Sequence, residues 1–201
     1  MYDLAAMATD VAAVIADAGV DRPHLVGHSL GGAVVTAAGS MLDVASVVDV
    51  DQSLQLGEFK EQLASAEAML RDPEQYHLVV DAMFEMMMGD VLDPSEADRI
   101  NSLRRADHPV VLGAWELLLT QSVEDIAAAV DAALAGYAGR AVPYLALFGL
   151  DPGDGYRSWL SDRIPGAEVE FWADGDRPFG HYPHLVDPDR FVARVRQFWN
   201  G

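Results

Sequence analysis

Along residues 3–18 the apolar positions Leu4, Met7, Val11, Val14 and Ile15 recur at spacings of three and four, with Asp3, Asp10 and Asp17 elsewhere on the wheel. That pattern predicts an amphipathic helix, and Gly19 is its stop signal. Asp21, Arg22 and Pro23 then lead into the short apolar run His24–Leu25–Val26, which reads as a buried strand ending at Gly27. Past His28, Ser29 and Leu30, the glycines Gly31 and Gly32 open an Ala- and Val-rich stretch to Ala38, long enough for about two turns of helix. Val44 to Val50 reads as another buried strand, closed by Asp49, Asp51 and Gln52.

From residue 53 to 135 long helical patterns replace this alternation, with breaks near Asp72–Pro73, Asp93–Pro94 and His108–Pro109. Strand signals resume at Val142 to Phe148, followed by a Gly149–Gly155 loop and a short helix around Tyr156–Ile164. A strand over Glu168–Trp172, a loop carrying His181, and a closing helix opened by Pro188 with Phe191, Val195 and Phe198 on one face complete the chain. The alternation predicts an α/β fold, with a core built from residues 1–52 and 136–201 and an inserted helical cap at 53–135. Met83, Phe84, Met86, Met87, Met88 and Trp115 lie on helices of that insertion and read as helix-core packing. The apolar stretch Leu25–Leu42 approaches membrane-span length, but His28 and its glycines in a strand–turn–helix pattern argue against a span.

Composition narrows the function. Hydrophobic residues make up 51% of the 201 and charged residues 22%, which is globular and excludes a disordered chain. Thirteen Lys and Arg against thirty-two Asp and Glu leave a net charge of −19, a field that repels phosphate backbones and anionic lipid. Neither nucleic acid nor membrane is therefore an expected partner. The absence of cysteine removes any disulfide framework, thiolate metal site or thiol nucleophile. Together with an opening MYDLAAMATD that lacks the basic and apolar regions of a secretion signal, it gives a cytoplasmic reading.

The chemistry is concentrated in Gly27–His28–Ser29–Leu30–Gly31, a G-x-S-x-G sequence set between a predicted strand and a predicted helix. In so tight a turn bulky neighbours of the serine would clash, so glycines flank it and Ser29 projects at the strand's C-terminal end. The helix that follows points its N-terminus at the same place. Its dipole and the backbone N–H of Leu30 would face the oxyanion formed when Ser29 attacks a carbonyl. A metal pair at His181 and His184 lacks any third ligand of recognisable spacing.

GHSLGG, the strand end VVDVD and the C-terminal GHYPHLVDPDRF together resemble the α/β-hydrolase family, in its capped esterase and lipase-like branch, over nearly the whole chain. The resemblance implies that His181 is the general base and that an acid lies just after the strand following the cap. Asp151 in FGLDP fits, giving the chain order Ser29, Asp151, His181; that stretch is one residue short of the family pattern, so Asp154 in the same loop and Asp51 at the end of the preceding strand are the alternatives. The implied activity is a serine hydrolase that cleaves carboxylic esters or related acyl compounds of a small-molecule substrate through an acyl-enzyme at Ser29, with no metal or organic cofactor. The alternative is a non-catalytic ligand-binding or oligomerising remnant.

The family's sheet has eight strands, with the serine turn after the fifth and a second oxyanion N–H from an earlier loop. Here only one helix precedes the serine strand, and four strands are counted. The expected fold is thus an N-terminally truncated α/β-hydrolase-like parallel sheet of about four strands, flanked by helices. The chain is expected to be a fragment of a longer hydrolase, or to self-associate through the uncovered sheet edge.

Overall fold

A computed structural model describes residues 3–201, so Met1 and Tyr2 of the expected core segment lie outside the described residues. The first segments are α1 (Leu4–Ala18), β1 (His24–His28), α2 (Leu30–Met41) and β2 (Ser46–Val50). Five helices follow: α3 (Gly57–Arg71), α4 (Tyr76–Met88), α5 (Pro94–Leu103), α6 (His108–Thr120) and α7 (Val123–Leu134). The chain ends with β3 (Tyr144–Phe148), α8 (Tyr156–Arg163), β4 (Glu168–Phe171), the short strands β5 (Ala173–Asp174) and β6 (Arg177–Pro178), α9 (Pro183–Val186) and α10 (Pro188–Asn200). It divides into two compact units, one of Leu4–Leu54 with Val130–Gly201 and the other centred on Gln55–Ala129.

In the first unit four strands form a parallel sheet in the order β1-β2-β3-β4 among the described residues. The central strands SVVDV and YLALF are buried at every position, as expected for parallel strands covered on both faces. One face packs Leu25, Val47, Tyr144, Ala146 and Val169 against side chains of α1, α2 and α8. On the other face Val48, Val50 and Leu145 meet Phe191, Val195 and Phe198 of α10, the stripe expected on that helix. Full burial of a Val or Leu contributes roughly 1.5–3 kcal/mol, so β2 and β3 are the most firmly held strands and fix whatever stands at their ends. β1 is an edge strand among the described residues, with Val26 44% exposed, and on α1 Val14 is 68% exposed. Beyond the expected elements, β5 and β6 form a two-residue hairpin turned at Gly175–Asp176, where Gly175 supplies the positive φ of 57°.

The helical unit has its own core, in which Leu63, Leu70, Val80, Leu118, Leu119 and Ile126 are buried and Phe59, Met83, Phe84 and Trp115 pack around them. Two of the prolines read as breaks in fact open helices, since Pro lacks only an N–H that the first turn leaves unpaired. Asp93 caps α5 by accepting from the Ser95 N–H, and Asp107 caps α6 by accepting from Val110. Met83 and Met88 are drawn into packing, whereas Met86 faces solvent. Among the described residues no helix is long and apolar enough to cross a membrane.

α2 is tied down at both ends. The Arg140 guanidinium donates to the carbonyls of Gly39, Ser40 and Leu42 at its C-terminus, complementing the negative end of the helix dipole. Near its start, Thr36 Oγ1 donates to the Gly32 carbonyl at 2.7 Å and meets the Tyr144 hydroxyl at 2.7 Å, which in turn lies 3.3 Å from Asp49 Oδ2. Asp49 is fully buried on β2, and burial pushes its carboxyl well above the usual range. The Tyr144 hydroxyl donates to Asp49 Oδ2, while Asp49 Oδ1 is buried without a hydrogen-bond partner among the described residues.

The two glycines flanking the serine do different things. A Cβ on Gly27 would overlap the Gly31 carbonyl, so the turn closes only with glycine there. On Gly31 a Cβ meets nothing within 4 Å among the described residues; the crowded partner is Gly32, whose Cβ would run into the Asp49 carboxyl and Gln52. The expectation of a clash on both sides of Ser29 therefore holds for Gly27 and passes from Gly31 to Gly32. Gly27→Ala is expected to lower the unfolding free energy by about 2–3 kcal/mol in urea denaturation, through overpacking against backbone. Gly31→Ala is expected to leave it unchanged or raise it by up to about 1 kcal/mol, because alanine favours the helix.

Candidate functional site

β1 and β2 run side by side with His28 opposite Val50, so the residues that follow, Ser29 and Asp51, leave the sheet together at its C-terminal end. Both have left-handed backbones, Ser29 at φ 55° and Asp51 at φ 55°, conformations that cost a non-glycine residue about 1–3 kcal/mol each. The Ser29 N–H donates to the Val50 carbonyl at 2.9 Å, and its own carbonyl accepts from Gly32 N–H at 2.6 Å, which closes the strand–helix turn. Serine before a helix usually caps it with its hydroxyl, but Ser29 makes no side-chain cap bond, so its Oγ is not spent on the helix. Leu30 begins α2, and a first-turn N–H has no partner within its helix.

His181 lies in the loop between β6 and α9 and is buried. Its Nδ1 is 2.7 Å from Asp51 Oδ2. The carboxylate accepts, so the proton sits on Nδ1 and the lone pair on Nε2, which is buried and without a hydrogen-bond partner among the described residues. The other Asp51 oxygen, Oδ1, accepts from the backbone N–H groups of Gly149 at 2.7 Å and Leu150 at 3.0 Å. Three donors therefore converge on one buried carboxylate.

The loop after β3 has a different part from the one expected of it. Asp151 is exposed, and its carboxylate closes a local turn by accepting from Gly153 N–H at 2.9 Å. The structure brings Asp51, and not Asp151, to His181. The physical reason is proximity: Asp51 follows the strand next to β1, and the shortened FGLDP loop turns its amides toward Asp51 while its own carboxylate faces water. Asp154 is likewise exposed in that loop. Gly149 and Gly180 join the loop to His181's segment, since Gly180 N–H donates to the Gly149 carbonyl at 2.9 Å and a Cβ on Gly149 would overlap the Gly180 carbonyl. The signal available in the sequence was VVDVDQS itself, a carboxylate directly after the strand that follows the serine turn.

Two further histidines gather here. The His28 ring is 4.6 Å from that of His181 and 4.6 Å from that of His184. Burial lowers the His28 pKa to about 4, with the neighbouring His181 adding to the effect, and burial lowers that of His184 in the same direction. Both rings are held neutral. Among the described residues no group of three His, Asp or Glu side chains is disposed to hold a metal ion. An open groove lined by His24, Ser46, Arg194 and Trp199 lies at the N-terminal ends of the strands, away from Ser29.

An imidazole fixed through Nδ1 by a carboxylate, with a free Nε2 and with its own main chain hydrogen-bonded to the residue before Ser29, is an arrangement suited to general-base chemistry. The model of the Alpha/beta hydrolase family matches residues 1–194. No curated protein sequence matches the chain. Among solved structures, AqDC, described as recognising and cleaving the ring of the Pseudomonas quinolone signal, is 16% identical with a TM-score of 0.73, covering 100% of this chain and 75% of its own. A putative aryl esterase from Burkholderia cenocepacia is 23% identical with a TM-score of 0.63, covering 98% of this chain and 71% of its own. An esterase from Exiguobacterium antarcticum is 16% identical with a TM-score of 0.70, covering 100% of this chain and 75% of its own. Those three likenesses speak to the fold, whereas the family model spans both sequence segments of the sheet and the helices between them: the chain belongs to the alpha/beta hydrolase family.

Proposed function

We propose that the protein is a serine hydrolase acting on carboxylic esters or related acyl compounds, with Ser29 as nucleophile, His181 as base and Asp51 as the acid that orients it. The observation that carries this reading is the 2.7 Å pairing of His181 Nδ1 with the buried Asp51, which follows the strand next to the one that leads into Ser29. In the first step His181 Nε2 takes the Ser29 proton while Oγ bonds to the acyl carbon. In this proposal the N–H of Leu30, the first residue of α2, donates to the resulting oxyanion, and the Asp51 carboxylate stabilises the imidazolium. Collapse breaks the bond to the leaving group, which receives the proton from Nε2 and leaves the acyl group on Ser29. Water, deprotonated by His181 in turn, attacks the acyl carbon and releases the acid. In this proposal the helical unit of Gln55–Ala129 is an inserted cap.

A second reading is favoured by one observation, that His181 Nε2 has no hydrogen-bond partner among the described residues. In it the His181–Asp51 pair abstracts a proton directly from a bound substrate and Ser29 serves only as a hydrogen-bond donor.

A fluorophosphonate probe separates the two. It is expected to modify Ser29, located by mass spectrometry, and to leave His181→Ala unmodified; labelling elsewhere, or none on folded protein, contradicts the acyl-enzyme reading. On a p-nitrophenyl ester, Asp51→Asn is expected to lose about 10³–10⁴ in kcat by releasing the imidazole tautomer. Asp151→Asn, a change at an exposed turn, is expected to stay within about twofold of wild type, and the reverse order would return the acid to the β3 loop.

A further inference from the structure

The His28 imidazole stands immediately before Ser29, and its Nε2 lies 2.7 Å from the backbone carbonyl of His181. A carbonyl only accepts, so Nε2 carries the proton and donates. One side chain thus ties the turn that carries the serine to the loop that carries the imidazole, although the two are 153 residues apart in sequence. This bond joins the two segments directly, whereas Asp51 reaches His181 from β2. The ring is packed on both sides of that bond, 4.6 Å from His181, 5.1 Å from Tyr182 and 4.6 Å from His184, so it cannot swing away without disturbing its neighbours.

We infer that His28 is a positioning residue, a strut whose Nε2–H donates to the His181 carbonyl and so ties the loop that carries the imidazole to the turn that carries Ser29. The inference deepens the serine-hydrolase reading and rests on it. Neutrality matters for the task. A cationic donor at this place, lysine or arginine, would stand against the imidazolium that His181 becomes during turnover, and burial keeps His28 uncharged throughout. Ser29 follows β1 and His181 lies in the loop before α9, two segments far apart in sequence. A displacement of about 1 Å between such groups costs about 10²-fold in rate, so a strut between them acts on kcat rather than on substrate binding.

The test compares wild type with His28→Ala, His28→Asn and His28→Gln, each checked for an unchanged unfolding midpoint, by kcat and KM on p-nitrophenyl butyrate and by 15N–1H NMR of the imidazoles. Glutamine carries its amide nitrogen where Nε2 stands, whereas that of asparagine reaches no further than Nδ1. In wild type, the His28 proton is expected on Nε2. His28→Ala and His28→Asn are expected to lose about 10–100-fold in kcat with KM within about twofold, and the His181 Nδ1–H signal is expected to broaden through faster exchange. His28→Gln is expected to recover kcat to within about fivefold of wild type and to sharpen that signal. The inference is overturned by a proton on His28 Nδ1, by a His181 signal indifferent to all three changes, or by glutamine serving no better than asparagine. If wild type shows no ester turnover, the serine-hydrolase reading fails, while the NMR signals still decide whether His28 holds His181. Should His28→Ala not fold, the glutamine–asparagine pair makes the same comparison.

Discussion

The Asp51 carboxylate sits where three chain segments have to agree. It leaves β2, receives the amides of Gly149 and Leu150 from the end of β3, and receives the Nδ1 proton of His181 from the loop before α9. A buried carboxylate without donors costs several kcal/mol, and here the donors come from two other parts of the fold, the end of β3 and the loop before α9. The sheet must therefore be in register, the β3 loop must turn tightly, and the His181 loop must approach before the charge is accommodated. Loss of any one donor strands part of the charge, which is why the site and the fold are one problem in this protein.

Strain is stored at the same place. Ser29 and Asp51 both have left-handed backbones at the ends of adjacent strands, and each is held by a hydrogen bond into the sheet, Ser29 N–H to Val50 and Asp51 N–H to Leu147. The buried valines and leucines of β2 and β3 offset that strain. Glycine is required where backbone meets backbone, at Gly27 against Gly31, which closes the serine turn, and at Gly149 against Gly180, which joins the loop after β3 to the histidine loop. Asp49, two residues before Asp51 and facing α2, is fully buried, and burial pushes its carboxyl well above the usual range.

Much of this was legible in the sequence, because the relevant signals are local. The period of Leu4 to Ile15 marked α1, the runs HLV, VVDV and YLALF marked the buried strands, and GHSLGG marked the turn. His181 was found by its motif. The partner of His181 was not, because choosing among Asp51, Asp151 and Asp154 depends on which loop faces inward, a property of tertiary geometry that spacing does not encode. The loop FGLDPGD offers its amides to Asp51, while its two carboxylates, Asp151 and Asp154, are exposed. The crowding at Gly32 was hidden for the same reason: it comes from Asp49, on a neighbouring strand. His28 looked like a variable position in the motif, and only its contact with a carbonyl far along the chain gives it a part.

The claim that the rest depends on is that Asp51 acts through His181 and not independently of it. A double-mutant cycle of Asp51→Asn and His181→Ala, read as kcat/KM for ester hydrolysis, measures that coupling directly. The account predicts that the double variant is no slower than His181→Ala alone, because the acid has nothing left to orient. Losses that multiply across the two changes would contradict it.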